Sequence, residues 1–410
     1  MMVFGSTGCG KTRRLLAVAI LFALRARVKR SQVIIDVKKE LFKMTMREAI
    51  RQGYNVEMID FRDPANSPSA WNPFSYANKL YREGKVDEAW RELDSIAALI
   101  FNDGQANNVD PFWKNSCIAV FKGIVDLIWR SRNCDVTPQL VMEIRNQMPI
   151  DTTRAPVYDE AEKLGKRSLA WQGMQIIRDA SEKTAGNIFA CFNTYMAPMT
   201  GREDLMRLLS ARNSFRFEEL GAKPTVLYIC LADDDTSTAG LQGILLQQLV
   251  QKLNLAAIEN GGCLPVRTDL LIDEMCNMPV IPDLSTKLTI SRSRGMRYLL
   301  VCQSYAQLID KYRDAGPTIA TNCATWVMMY CAKDQTMWNK ARDLAVENLF
   351  GENLIDPSKL ALMPMGQALV FSEHKRPYVT LLDDISQILP KEEEARPAVR
   401  RQARRRATVA

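Results

Sequence analysis

Apolar residues along this chain fall into two kinds of run. Short unbroken runs read as strands covered on both faces, and longer runs with apolar residues three and four apart read as helices. Residues 1–4 form the first short run, and residues 15–24 behind it have helical spacing. Gln32-Val33-Ile34-Ile35-Asp36 reads as a second strand, ending in a carboxylate. Lys38, Lys39 and Glu40 open a helix, and residues 55–61 form a third strand. That β-α-β-α-β order is the signature of a parallel, doubly wound sheet. Pro64, Ser67, Pro68, Trp71, Asn72 and Pro73 then mark a long turn.

Strand signals nearly vanish between residues 76 and 212. Helical spacing appears at 85–101, 111–130, 138–147 and 181–195. Asp110-Pro111 and Thr137-Pro138 each place a capping residue before a proline at the first helical position. This stretch reads as an all-α domain, residues 76–212, inserted into an α/β domain made of residues 1–75 and 213–390. The alternative is extra helices wrapped around one large domain. The sheet resumes at 225–231, and a long helix over 238–259 ends at Gly261-Gly262. Residues 269–272 are a strand followed by Asp273 and Glu274, and residues 297–302 are a strand followed by Gln303 and Ser304. Residues 325–330 and 367–371 look like later strands. Residues 391–410 are apolar-poor and arginine-rich and are expected to be disordered.

The first strand and helix are joined by Gly5-Ser6-Thr7-Gly8-Cys9-Gly10-Lys11-Thr12, the pattern G-x-x-x-x-G-K-[ST] in the strand–turn–helix setting a phosphate-binding loop needs. Its glycines let successive N–H groups point inward, and the helix N-terminus adds partial positive charge. Lys11 would reach the β- and γ-phosphates of ATP, and the Thr12 hydroxyl would sit on Mg²⁺. In such enzymes a second strand brings a carboxylate to the metal. Asp273 fits that position, and Glu274 fits the general base that polarises water. The bland reading of this acid pair is an exposed helix cap. Gln303, at the end of the strand expected beside the Asp273 strand, would sense the γ-phosphate, or else make a local turn contact. Arg292 and Arg294, in Ser291-Arg292-Ser293-Arg294-Gly295, are candidates for an arginine acting across a subunit boundary; the alternative is a solvated surface pair.

Net charge changes the picture only locally. The chain of 410 residues carries a formal +7, and six arginines (Arg396, Arg400, Arg401, Arg404, Arg405, Arg406) lie in the last fifteen residues with no acid among them. Without them the body is near neutral, at +1, which excludes a strongly basic nucleic-acid binder overall. Ten cysteines without a C-x-x-C pair, and the single His374, argue against a structural zinc site and fit a reducing compartment. The apolar run at 15–24 is too short to span a bilayer. The chain starts almost inside a core strand, which raises the expectation that an upstream part is missing.

The run from Asp273-Glu274-Met275-Cys276-Asn277-Met278-Pro279 to Ile281-Pro282-Asp283, then Ser291 to Gly295, then Cys302-Gln303-Ser304 with Gln307-Leu308 and Lys311-Tyr312, resembles the type IV secretion coupling proteins, the TraG/TraD-type conjugation ATPases. Gly5 to Thr12, Asp36-Val37-Lys38-Lys39-Glu40-Leu41, Trp71-Asn72-Pro73, Asp110-Pro111-Phe112-Trp113 and Glu182-Lys183-Thr184 match in the same order. The resemblance implies a RecA-like P-loop ATPase domain with a mostly parallel central sheet and an inserted all-α domain. It implies a ring, expected to hold six subunits, at the cytoplasmic face of the bacterial inner membrane. That ring would couple ATP hydrolysis to export of single-stranded or relaxase-bound DNA, with relaxase and other secretion components as partners. It gives the trans arginine to Arg292 and the sensing glutamine to Gln303.

Three departures stand out. The family's D-P-K-G-E-L has Val37 and Lys39 in place of Pro and Gly. Ser291 replaces a Gly. The family's N-terminal membrane hairpin is absent, which leaves the chain alone open to being a monomer. A receptor that docks secreted proteins, with ATP as a switch, is the competing function. A chromosome-partition or packaging motor shares the core, but the long helical insertion and the Ile281-Pro282-Asp283 run argue against it.

Overall fold

The short apolar runs meet in one sheet. The computed structural model describes residues 1–101, 110–150, 155–210, 214–232, 238–331, 334–347, 362–373 and 375–389. His374 and the arginine-rich tail lie outside the described residues. The strands are β1 (Met2–Phe4), β2 (Ser31–Ile35), β3 (Asn55–Asp60), β4 (Thr225–Cys230), β5 (Thr268–Ile272), β6 (Met296–Cys302), β7 (Thr325–Met328), β8 (Gln367–Ser372) and β9 (Lys375–Leu381). They pair in the order β3-β4-β2-β5-β6-β1-β7-β8-β9. The first seven are mutually parallel, and β8 and β9 are added antiparallel at one side. This is the mostly parallel α/β sheet expected from the sequence.

The order explains the composition of the strands. β1, β2 and β4 are buried along their whole length, so unbroken apolar runs are what their positions demand. β9 is largely exposed and begins Lys375-Arg376-Pro377, which is why no strand was expected there. Proline is tolerated at such an edge because the N–H it lacks would face solvent. A wide π-helical turn, Lys11–Leu16, follows β1 and runs into α1 (Ala17–Leu24). α2 (Glu40–Arg51) follows β2. Among the described residues no helix is long and apolar enough to cross a membrane.

The chain divides into two compact units. One comprises Met1–Arg62, Phe217–Asp234 and Gln247–Ala410 and holds the sheet; the other comprises Asp63–Arg216 and Asp235–Leu246. The described part of Asp63–Arg216 is helical: α3 (Ser75–Arg82), α4 (Val86–Ile100), α5 (Pro111–Leu127), α6 (Pro138–Asn146), α7 (Pro156–Lys163), α8 (Leu169–Asp179), α9 (Glu182–Thr200) and α10 (Glu203–Ser210). The caps read from sequence are present. Asp110 accepts from the Phe112 amide at 2.9 Å and Thr137 from the Leu140 amide at 3.1 Å. α5 and α8 approach so closely that a Cβ at Gly173 would stand 2.6 Å from the Ala119 carbonyl oxygen.

A buried amide organises the start of this unit. Asn78 is 1% exposed. Its Oδ1 accepts from Trp129 Nε1 at 3.0 Å and from the Val136 amide at 2.9 Å, and its Nδ2 donates to the Val136 carbonyl at 2.9 Å. Trp129 in turn stacks on Tyr81 at 4.4 Å between ring centroids. Asn78→Ala removes these partners and leaves two N–H groups unpaired in apolar surroundings. The expected cost is about 2–4 kcal/mol. Urea unfolding should show the loss as a lower midpoint with an unchanged slope.

Candidate functional site

Strand register decides which side chains meet. β1 lies between β6 and β7, with Phe4 level with Cys302 and Met328. β6 also pairs with β5, where Ile272 is level with Leu300. The carboxyl ends of β1, β5 and β6 therefore open onto one edge, where ligands of parallel α/β sheets gather.

The loop Gly5–Thr12 leaves β1 at that edge. Gly8 and Gly10 have φ of 81° and 94°, in the region that glycine enters without strain. Gly5 is required for a different reason: a Cβ there would stand 2.7 Å from Cys9 Sγ and 3.1 Å from Met329 Cβ. The Ser6 amide donates to the Tyr330 carbonyl at 2.9 Å, tying the loop to the chain after β7. Lys11 opens the helical turn, and its side chain folds back under the loop. Its Nζ donates to the Gly5 carbonyl at 2.5 Å and the Ser6 carbonyl at 3.0 Å. Only 7% of Lys11 is exposed. This places a buried cation beneath the loop backbone, at a helix start with no acid in its first turn, an arrangement whose chemistry suits an anion.

Facing it stands Asp273. The Thr12 hydroxyl approaches Asp273 Oδ2 at 3.4 Å, and Asp273 Oδ1 is buried with no hydrogen-bond partner. Burial, then the neighbouring Glu274 and Asp36 carboxylates, push Asp273 up to about 7, against the opposing pull of Lys11 and Lys38. A hydroxyl and an orphaned carboxylate oxygen are hard donors that suit a magnesium ion. Glu274 takes a left-handed backbone, φ 53°, and both its oxygens are engaged. Lys38 Nζ is 2.9 Å from Oε1, and Asn277 Nδ2 donates to Oε2 at 3.0 Å. That bond to Glu274 is the main cause of the raised Lys38 pKa.

Lys38 and Asn277 were absent from the expected site, although both stand in the motif runs quoted above. Asp36, 1% exposed, also belongs to this edge: its carboxylate accepts from the Glu40 and Phe42 amides at 3.0 and 2.8 Å and so caps α2. Lys39, where the family pattern has Gly, takes φ 59°, so the turn keeps the left-handed residue that a glycine would adopt at lower cost.

Gln303 follows β6 at the same edge, and Gln307 Nε2 donates to its Oε1 at 3.4 Å. Arg292 is elsewhere. It ends the helix Leu284–Ser291, is exposed, and precedes β6, so the seven residues of that strand separate it from Gln303. At the usual rise per residue this is about 20 Å, beyond the reach of an arginine side chain. Arg292 instead borders a cavity of about 570 Å³ at the opposite edge, with Gln32, Asp269 and Arg297.

A family model described as type IV secretory system conjugative DNA transfer matches residues 1–341. The chain belongs to that family. It is 24% identical over 404 residues to the protein VirD4 of Rhizobium radiobacter, a match covering 95% of this chain and 54% of that protein. The VirD4 protein of Agrobacterium fabrum is 24% identical over 350 residues, covering 82% of this chain and 48% of its own length. The chain thus spans about half the length of these curated relatives. Among solved structures, the plasmid coupling protein TrwB in complex with ADP and Mg²⁺ superposes with a TM-score of 0.59 at 17% identity, covering 96% of this chain and 87% of that one. The similarity at that identity is one of fold, and it is the RecA-like α/β fold with a helical insertion.

The protonation of Asp273 has a measurable consequence. Between the ordinary carboxylate value of 3.8 and about 7, the folded chain holds a proton that the unfolded chain has lost. Stability from this group therefore falls as pH rises through that window. Asp273→Asn has no charge to bury. Without Mg²⁺ it should be more stable than the parent at pH 8 by on the order of 3 kcal/mol, and should lose that advantage at pH 4. Urea titrations of both proteins at the two pH values measure the difference.

Proposed function

We propose that this chain hydrolyses ATP and couples hydrolysis to delivery of a relaxase-bound DNA strand into a type IV secretion channel. The observation that carries the catalytic half is the meeting of Lys11, Thr12 and the orphaned Asp273 oxygen at one sheet edge. Membership of the conjugative DNA-transfer family supports the transport half. The nucleotide and Mg²⁺ named for the TrwB complex support the choice of substrate.

In this reading the N–H groups of Gly5 to Thr12 hold the phosphates. Lys11 gives up its two carbonyl partners for the β- and γ-phosphate oxygens. Thr12 and Asp273 hold Mg²⁺, and the ion, when bound, neutralises charge on the phosphate oxygens. Glu274 accepts the proton of the attacking water. To do so it releases Lys38 or Asn277, because both its oxygens are occupied. Gln303 orients towards the γ-phosphate from the end of β6. Arg292 is too far from the loop of its own chain and acts on the site of a neighbouring subunit in a ring, which we take to be a hexamer at the cytoplasmic face of the inner membrane.

Lys11→Ala should abolish hydrolysis. Glu274→Gln should keep ATP binding and slow turnover by about 10²–10⁴-fold. A malachite-green phosphate assay beside binding of a fluorescent ATP analogue separates the two effects. Normal turnover in Glu274→Gln would send the search to another base. Stimulation of turnover by single-stranded DNA supports transport, whereas relaxase binding without such stimulation favours the docking-receptor reading.

Arg292→Ala should bind ATP and hydrolyse it poorly, since a trans arginine contributes on the order of 10³–10⁵ in rate. Mixed with Lys11→Ala at concentrations where assembly is verified by light scattering, it should regain activity. A hybrid boundary can then pair an intact Lys11 with an intact Arg292. No regain in assembled mixtures leaves Arg292 a surface residue.

A further inference from the structure

None of the ten cysteines is in a disulfide. Two of them face each other beside the site. Cys276 follows Asp273 and Glu274 in the loop after β5, and Cys302 is the last residue of β6, directly before Gln303. Their Sγ atoms share a hydrogen bond at 3.6 Å. The backbone already joins the two segments, because the Met275 amide donates to the Val301 carbonyl at 2.9 Å. Cys302 is buried, with Met2 Sδ 3.9 Å away, and Cys276 is half-buried. One sulfur is within reach of solvent, and the other is held against it from inside. That is the arrangement of an attacking and a resolving thiol. The bond to Cys302, helped by Lys311, holds the Cys276 pKa below the ordinary thiol value. The same bond, with burial, pushes Cys302 well above it.

We propose that Cys276 and Cys302 are an oxidation site for hydroperoxides, whose disulfide fastens the Asp273–Glu274 loop to the strand bearing Gln303 and stops turnover. The Cys276 thiolate attacks the peroxide; the O–O bond breaks, hydroxide or alkoxide leaves, and Cys276 becomes a sulfenic acid. The Cys302 sulfur then attacks the Cys276 sulfur. The S–O bond breaks, water leaves with the Cys302 proton, and the S–S bond forms. Two electrons pass from the thiol pair to the peroxide. The sulfurs need to close from 3.6 Å to about 2.05 Å, a shift that a loop end can supply. The phosphate loop is not part of the crosslink, so nucleotide binding survives while Glu274 can no longer adjust against Gln303. The effect on turnover rests on the ATPase reading; the crosslink does not.

The test treats the full chain with hydrogen peroxide, blocks the remaining thiols by alkylation, and reads peptides by mass spectrometry beside ATP turnover and binding of a fluorescent ATP analogue. The expected result is a 276–302 disulfide, a loss of turnover of at least tenfold with binding retained, and recovery in dithiothreitol. Cys276→Ser should keep at least half of its own untreated rate through the same treatment, and so should Cys302→Ala. Cys9 lies in the phosphate loop and is the competing target. If Cys276→Ser is inhibited as strongly as the parent, another thiol is responsible and the proposal fails. It fails equally if no 276–302 disulfide forms at a peroxide dose that oxidises the exposed Cys134. A chain that forms the disulfide and hydrolyses nothing before treatment overturns the ATPase reading and leaves the oxidation site standing.

Discussion

The pairing of β6 between β1 and β5 is the constraint on which the candidate site depends. Without it the glycine-rich loop after β1 would be too far from Asp273 after β5 for the Thr12 hydroxyl to approach a carboxylate oxygen. With it, three strand ends open on one edge, and the intervening strand delivers Gln303 there as well. Nothing in the loop itself sets this distance. The parallel ladder sets it, through ordinary strand spacing across two pairings. The short β1 is held on both sides and buried throughout, which makes it a firm base for the glycine-rich loop that follows.

Charge at this edge is arranged as a balance of buried and half-buried groups. Asp36 spends its carboxylate on the first amides of α2, and Glu274 spends its own on Lys38 and Asn277. Among these three, Asp273 keeps an oxygen without a partner, and burial pushes its carboxyl up to about 7. Lys11 has only carbonyl partners among the described residues. In the proposed reading, Lys11 would exchange its carbonyl partners for phosphate oxygens and the Asp273 oxygen would face the cation.

The strongest sequence signals were those whose physics is local. Unbroken apolar runs gave β2, β4, β5 and β6 because strands covered on both faces admit little else. The loop Gly5–Thr12 was legible because its glycines answer to backbone angles and to the space beside Cys9. Other elements follow rules that no short window carries. α3 places the polar Asn78 at a core position, which composition alone does not predict; its amide is satisfied by Trp129 and Val136, more than fifty residues away. α9 extends to Thr200 past Pro198, where a proline would ordinarily suggest an end. The Lys38–Glu274 contact joins residues 236 apart and exists only because β2 pairs with β5. The opposite placement of Arg292 and Gln303 likewise follows from strand direction, which a motif in single-letter order does not display.

The sheet ends at β9, whose outer side meets no further strand among the described residues. Tyr378, Val379 and Leu381 are half or more exposed there, a combination that invites another extended chain to dock and polymerise. The opening Lys375-Arg376-Pro377 works against that. Two like charges repel a second copy of the same strand, and the proline withholds one rung of any new ladder. In a sheet whose outer strand is exposed, charge and a missing N–H on that strand oppose pairing between copies of the chain.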